Sequence, residues 1–211
     1  MHKIMLVISI LISGISAIAQ PAGYAAVADL LKFKEQFATI AGKTETIKSD
    51  FVQEKNLSML SEKIVSKGKF WFKRENMLRM EYTTPFEYLM ILNKDNMYIK
   101  DGQKENKVST KSSKLFDQIN KITIDCVQGS FFNNPDFITK AYENKNTYLI
   151  ELSPVSKNLK EFFKTIDVII DKSDYEATTI EMDENSGDNT IIRFTNREIN
   201  ANIPDAIFAI K

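Results

Sequence analysis

The chain has 211 residues, 43% of them hydrophobic, which suffices for one domain of ordinary size with a real core. Its 28 Lys and Arg balance 28 Asp and Glu, so it has no net field with which to gather nucleic acid or an anionic membrane surface. The single histidine, His2, lies in an apparent leader and the single cysteine is Cys126; this excludes Ser-His-Asp and Cys-His catalysis, an internal disulfide, and nearly every zinc, copper or iron site.

Lys3, the apolar stretch Ile4 to Ile12 and then Ala17-Ile18-Ala19 have the form of an export signal cut after Ala19. The chain therefore divides into a signal peptide, residues 1–19, and a single mature domain, residues 20–211. The apolar stretch is too short for a stable membrane span, and no later segment approaches that length. With no cysteine at the cut, no lipid can be attached there, so the mature protein is expected to diffuse freely. Cys126 reads as a small buried apolar residue.

Ala25 to Ile40 is rich in helix formers. Val27, Leu30, Leu31, Phe33 and Phe37 recur near the helical period, and Gly42 is a natural stop. Alternation takes over from about Thr44, with Ile47, Phe51 and Leu57 between Lys48, Asp50 and Glu54. In Ile64 to Lys73, Phe70 and Phe72 share one face while Lys69, Trp71 and Lys73 share the other. Glu75-Asn76 reads as a turn. Met77 to Thr83 returns with Leu78, Met80 and Tyr82 on one face, and Pro85 ends it. Tyr88 to Leu92 and Met97 to Lys100 add two strands joined by a short turn, which makes an antiparallel meander.

Residues 103–113 are polar, and then the period changes. Leu115, Phe116, Ile119, Ile122 and Cys126 predict one or two helices ending near Gly129. Strands follow at Phe137 to Asn144 and Thr147 to Leu152, then a short helix at Asn158 to Phe163. Thr165 to Ile170, Ala177 to Met182 and Thr190 to Arg197 close the sheet. The apolar end, Ile203 to Ile210, is either a strand or a tuck against the sheet. The fold class is thus mostly β with helices (α+β). A large antiparallel sheet curls, and helices inserted in mid-chain can cover one face and leave a pocket beneath them.

Two patterns invite a chemical reading. Ser66 and Lys69 match a Ser-x-x-Lys spacing, but that pairing works on a helix face and here it opens a strand. Glu181, Asp183, Glu184 and Asp188 surround Asn185-Ser186-Gly187 without the spacing of a calcium loop, and read as a polar turn between strands. The 7 glycines form no phosphate-cradling loop.

Gly68-Lys69-Phe70-Trp71-Phe72-Lys73-Arg74, then Leu78-Arg79-Met80-Glu81-Tyr82, Pro85 and Asn96-Met97-Tyr98 resemble the central strands of the periplasmic outer-membrane lipoprotein carriers, the LolA-like family. Phe51-Val52-Gln53 upstream, and Leu152-Ser153-Pro154 with Leu159-Lys160 downstream, extend the similarity over nearly the whole mature chain. The resemblance implies a single curved antiparallel sheet forming an unclosed half-barrel, with a helical lid over an apolar cavity. It implies a non-enzymatic, cofactor-free, monomeric periplasmic carrier of acylated lipoproteins or other lipids, with no nucleic-acid partner. Its donor would be an inner-membrane ABC transporter, and its acceptor an outer-membrane receptor or the membrane itself. It assigns Arg74 as the latch that holds the lid closed; Glu75 stands where the family has proline, and Met80 where it often has an aromatic. Phe70, Phe72, Leu78, Met80 and Tyr82, with Leu30 and Phe116 from covering helices, are the candidate cavity lining. Three other readings stay open: a carrier of another amphiphile, such as a glycolipid or pigment precursor, an interaction module of the envelope, and a histidine-free hydrolase that uses carboxylates.

Overall fold

The computed structural model describes residues 20–60, 62–109, 122–126 and 129–210. The expected signal peptide, Phe116 and most of the expected mid-chain helices lie outside these residues.

The alternating segments pair into one antiparallel sheet of twelve strands. These are β1 (Ala25–Ala26), β2 (Thr46–Leu57), β3 (Glu62–Lys73), β4 (Met77–Thr84), β5 (Tyr88–Asn93), β6 (Asn96–Asp101), β7 (Lys104–Ser109), β8 (Phe137–Glu143), β9 (Thr147–Pro154), β10 (Phe163–Asp171), β11 (Ala177–Glu184) and β12 (Asn189–Ile199). Their spatial order is β1-β8-β9-β10-β11-β12-β2-β3-β4-β5-β6-β7. Sequence neighbours pair throughout, except where β12 joins β2 and where β1 joins β8. Among the described residues, strands β1 and β7 are the two edges and do not pair with each other, so the sheet is an unclosed half-barrel.

Tight turns follow from residues that tolerate positive φ. Glu75 and Asn76 stand at φ 67 and 62 in the three-residue turn that lets Lys73 of β3 pair with Met77 of β4. Register shifts at Lys67/Gly68 and at Thr195/Glu198 interrupt the ladders and bend the sheet. The Ile47–Phe72–Leu78–Leu92–Met97 row runs across five strands on the inner face. The adjacent Trp71–Arg79–Ile91–Tyr98 row points outward.

Helix α1 (Leu30–Ala41) is capped by Asp29, whose carboxylate accepts from the Lys32 amide at 3.0 Å. It lays Phe33 and Phe37, each 2% exposed, on Ile150, Leu152 and Val168 of the inner face. Burial of each ring contributes about 2–3 kcal/mol. Residues 122–126 are helical, and Ile122 and Cys126 pack into the same cluster. A 3₁₀ turn, Ser130–Asn133, follows, with Phe131 against Phe37. Gly129, at φ 69, permits this approach, since a Cβ there would lie 2.4 Å from the Phe37 ring. A short helix α2 (Lys157–Phe162) fills the β9–β10 connection.

The apolar C-terminal stretch tucks against the sheet and forms no strand. Its 3₁₀ turn, Asp205–Phe208, buries Phe208 with Ile203, Ile91 and Tyr98 on the outer face. Asn93 and Arg79 side chains donate to the Phe208 and Ile207 carbonyls at 3.1 and 3.2 Å. Two sequence expectations are corrected. The first helix begins at Leu30 and not Ala25, because Ala25 and Ala26 pair with Glu143 and Tyr142 of β8. The polar stretch after residue 103 contains strand β7, whose Lys104, Glu105 and Lys107 suit an exposed sheet edge.

Candidate functional site

Between the two halves of the inner face lies a cavity of about 500 Å³, within the range of small-molecule sites. Strands β4 and β5 supply Met80, Tyr82, Tyr88 and Met90. Strands β10 to β12 supply Phe163, Ile180, Met182 and Ile192 from the other side. Ile122 and Thr123 of the covering helical segment close it from above. The join of β12 to β2 is what brings these two strand sets face to face. The three methionines, Met80, Met90 and Met182, make this wall deformable.

The mouth is polar. Gln53, Lys55, Glu161, Glu184, Ser186 and Thr190 supply the polar part of the lining, toward the β11–β12 turn. Lys55 Nζ binds Glu184 at 2.5 Å and lies 3.8 Å from Asp188. The Ser58 amide and hydroxyl donate to Asp188 Oδ1, and these bonds hold its carboxyl below the usual aspartate range. Asn189 Nδ2 donates to Glu181 and Asp183 at 2.9 and 2.8 Å. The four carboxylates thus organise the β11–β12 turn. In the antiparallel register the β2–β3, β4–β5 and β11–β12 turns all stand at this same end. The first two carry the exposed side chains Met59, Leu60 and Phe86.

The sequence-selected lining residues separate into layers. Met80 and Tyr82 line the cavity. Tyr82 donates to Gln53 Oε1 at 2.9 Å, stacks edge-on against Phe51 and Tyr88, and is pushed to higher pKa chiefly by burial. Phe70 lines a smaller pocket beside it. Phe72 and Leu78 have no exposed surface and belong to the core beneath, packed with Ile47, Leu92 and Met97. Leu30 opens α1 and is 40% exposed, away from the cavity. Phe116 lies outside the described residues. Met90, Ile180, Met182 and Ile192 were not singled out from sequence. Their alternation was visible, but nothing local shows that β11 and β12 lie beside β2.

Arg74 follows β3 at the opposite end of the sheet. Its Nε donates to the Thr44 carbonyl at 2.7 Å, its Nη2 donates to the Ala41 carbonyl, and Glu45 lies 3.4 Å away. The guanidinium therefore caps the C-terminal end of α1, whose last carbonyls have no helical partner. Among the described residues its bonds go to α1 and the loop after it, and none to residues 122–126.

Ser66 and Lys69 lie three apart on β3, which puts them on opposite faces. Cys126 is 2% exposed, and burial raises its thiol well above the ordinary range; it is an inert core residue. Among the described residues, no group of three or more His, Cys, Asp or Glu side chains is placed to hold a metal, and no helix is long and apolar enough to cross a membrane.

Several solved structures are similar to this chain. The Pseudomonas aeruginosa MucA/MucB complex matches with a TM-score of 0.50 at 9% identity, over 85% of this chain and 60% of that one. An uncharacterized conserved protein from Thermus thermophilus matches with a TM-score of 0.50 at 7% identity, over 84% and 91%. A LolA superfamily protein from Nitrosomonas europaea matches with a TM-score of 0.47 at 9% identity, over 84% and 97%. No curated protein is significantly similar in sequence. The sequence profile of the family described as outer membrane lipoprotein carrier protein LolA matches residues 42–211. The chain is thus a member of the LolA family of outer membrane lipoprotein carriers.

Proposed function

We propose that this protein is a non-catalytic periplasmic carrier that shelters the acyl chains of lipoproteins between the inner and outer membranes. The observation that carries the reading is the 500 Å³ cavity itself, walled by methionine, isoleucine and aromatic side chains, with a polar lining toward the β11–β12 turn. Acyl transfer from water contributes about 0.8 kcal/mol per methylene, so a sixteen-carbon chain offers on the order of 12 kcal/mol before the costs of association. That surplus retains cargo during a crossing and still permits release. The exposed Met59, Leu60 and Phe86 stand at the mouth end, where an apolar contact with a donor or acceptor would shorten the passage of the acyl chain through water. An inner-membrane ABC transporter as donor and an outer-membrane receptor or membrane as acceptor complete the proposal.

In this scheme Arg74 holds the cover by its carbonyl bonds to α1, and cargo binding exchanges those bonds for acyl burial. The test is release of an acylated lipoprotein from inner-membrane vesicles by the mature protein. The expected result is a one-to-one soluble complex whose formation requires the acyl groups. Complex formation with deacylated lipoprotein, or recovery of non-protein lipids alone from the native periplasm, would overturn it.

A further inference from the structure

A second pocket adjoins the cavity and shares Thr123 and Ile180 with it. At about 20 Å³ it has room for one or two water-sized groups, as few as the two oxygens of a carboxylate. Its walls are apolar except where Ser49, Thr123, Glu176 and Arg197 enter. Arg197 reaches it through a break in the ladder. Strands β2 and β12 are in register at Asp50↔Thr195 and again at Lys48↔Glu198. Between them Asn196 takes φ 51 and donates outward to Asp50 Oδ2 at 2.8 Å. Without that extra residue Arg197 would share the outer face with Thr195; the bulge turns it inward beside Ser49.

Arg197 Nη2 is held by Asp174 Oδ2 at 2.9 Å. Its buried Nη1 and the buried Ser49 Oγ have no hydrogen-bond partner among the described residues. Buried donors in a polar niche are normally satisfied, so two together mark a place where an acceptor fits. Glu176, 7% exposed, takes a hydrogen bond from Thr44 Oγ1 at 2.9 Å, and burial pushes its pKa up to about 7. In its neutral form it does not repel an anion beside Arg197.

We propose that this pocket is a carboxylate subsite. A long-chain carboxylic acid enters head first, its oxygens accept from Arg197 Nη1 and Ser49 Oγ, and its alkyl chain runs past Thr123 and Ile180 into the large cavity. The inference rests on the acyl-carrier reading and adds a free fatty acid to the cargo class.

The experiment is calorimetric titration of the mature protein with palmitic acid, its methyl ester and hexadecanol. The acid is expected to bind at least tenfold more tightly than the ester or the alcohol. Arg197→Gln should bring the ratio near one, and Ser49→Ala should reduce it severalfold. Because Arg197→Gln also loses the Asp174 ion pair, the wild-type protein is read independently with palmitate labelled with carbon-13 at the carboxyl. The bound carboxyl should remain ionised below the ordinary carboxylate range. Equal binding of acid, ester and alcohol, or an unshifted carboxyl titration, overturns the subsite and leaves the cavity reading intact. No binding of any of the three compounds overturns both.

Discussion

Gly68 and Glu176 each carry a constraint set by their immediate surroundings. A Cβ at Gly68 would lie 2.1 Å from the Glu81 carbonyl oxygen and 2.8 Å from the Phe51 ring. Strand and ring would both have to move, so Gly68→Ala is expected to destabilise by about 3 kcal/mol, measured by urea denaturation. An unchanged midpoint would show that the strand gives way freely. Glu176 predicts a pH dependence. Its folded pKa, about 7, lies above the ordinary 4.5, chiefly through burial and further through Asp174, with Thr44 and Arg197 acting the other way. Its contribution is therefore complete below pH 4.5 and is lost as the pH rises to about 7, on the order of 3 kcal/mol in all. Glu176→Gln should match the wild type at pH 4.5 and exceed it in stability at pH 8. A constant difference between the two proteins would contradict this.

At the scale of elements, strands β9 to β11 place Glu151, Asp167 and Glu181 directly opposite one another on the outer face. Like charges in register repel. Burial first, and then Glu151, Glu181 and Asp183, raise the Asp167 carboxyl to about 6, and its Oδ1 is buried without a partner among the described residues. Asp167→Asn is expected to stabilise by about 1 kcal/mol above pH 6, a modest gain because solvent screens the exposed half of the row. The gain should vanish near pH 3.8, where both forms of the residue are neutral; thermal melts at the two pH values check it. The α1 latch makes a different prediction. Arg74→Leu leaves the Ala41 and Thr44 carbonyls without their guanidinium partner. Amide exchange in α1 and in residues 122–126 should accelerate at least tenfold, while exchange in β2 to β5 changes little. Unaltered exchange in the covering helices would dismiss Arg74 as a latch.

For the whole molecule, the strands of the sheet were legible because their evidence is local, whereas the unclosed half-barrel followed from the family resemblance. The 2-residue period of Phe70 and Phe72 against Lys69 and Trp71, the Glu75-Asn76 turn and Pro85 each mark a strand or its end by their own chemistry. Strand β7 was missed because an exposed edge strand needs no apolar face, and β1 because two residues carry no period. The cavity was half legible. Met80 and Tyr82 sit on its wall, but Phe72 and Leu78, one row away on the same face, are roofed by the protein's own side chains. The opposite wall, Ile180, Met182 and Ile192, depends on the β12–β2 join, a contact between distant segments that periodicity cannot see. The Arg197 pocket depends on a bulge, which the strand pattern of Thr190 to Arg197 conceals.

The central claim is that an acyl chain lies between β4–β5 and β10–β12. The direct measurement is a map of cross-links formed by a palmitoylated lipopeptide that carries a photoreactive diazirine at the end of its acyl chain. Loaded into the mature protein and illuminated, it should mark Met80, Met90, Ile180 and Met182. Adducts confined to the exposed Met59, Leu60 and Phe86, or no adducts at all, would contradict the account.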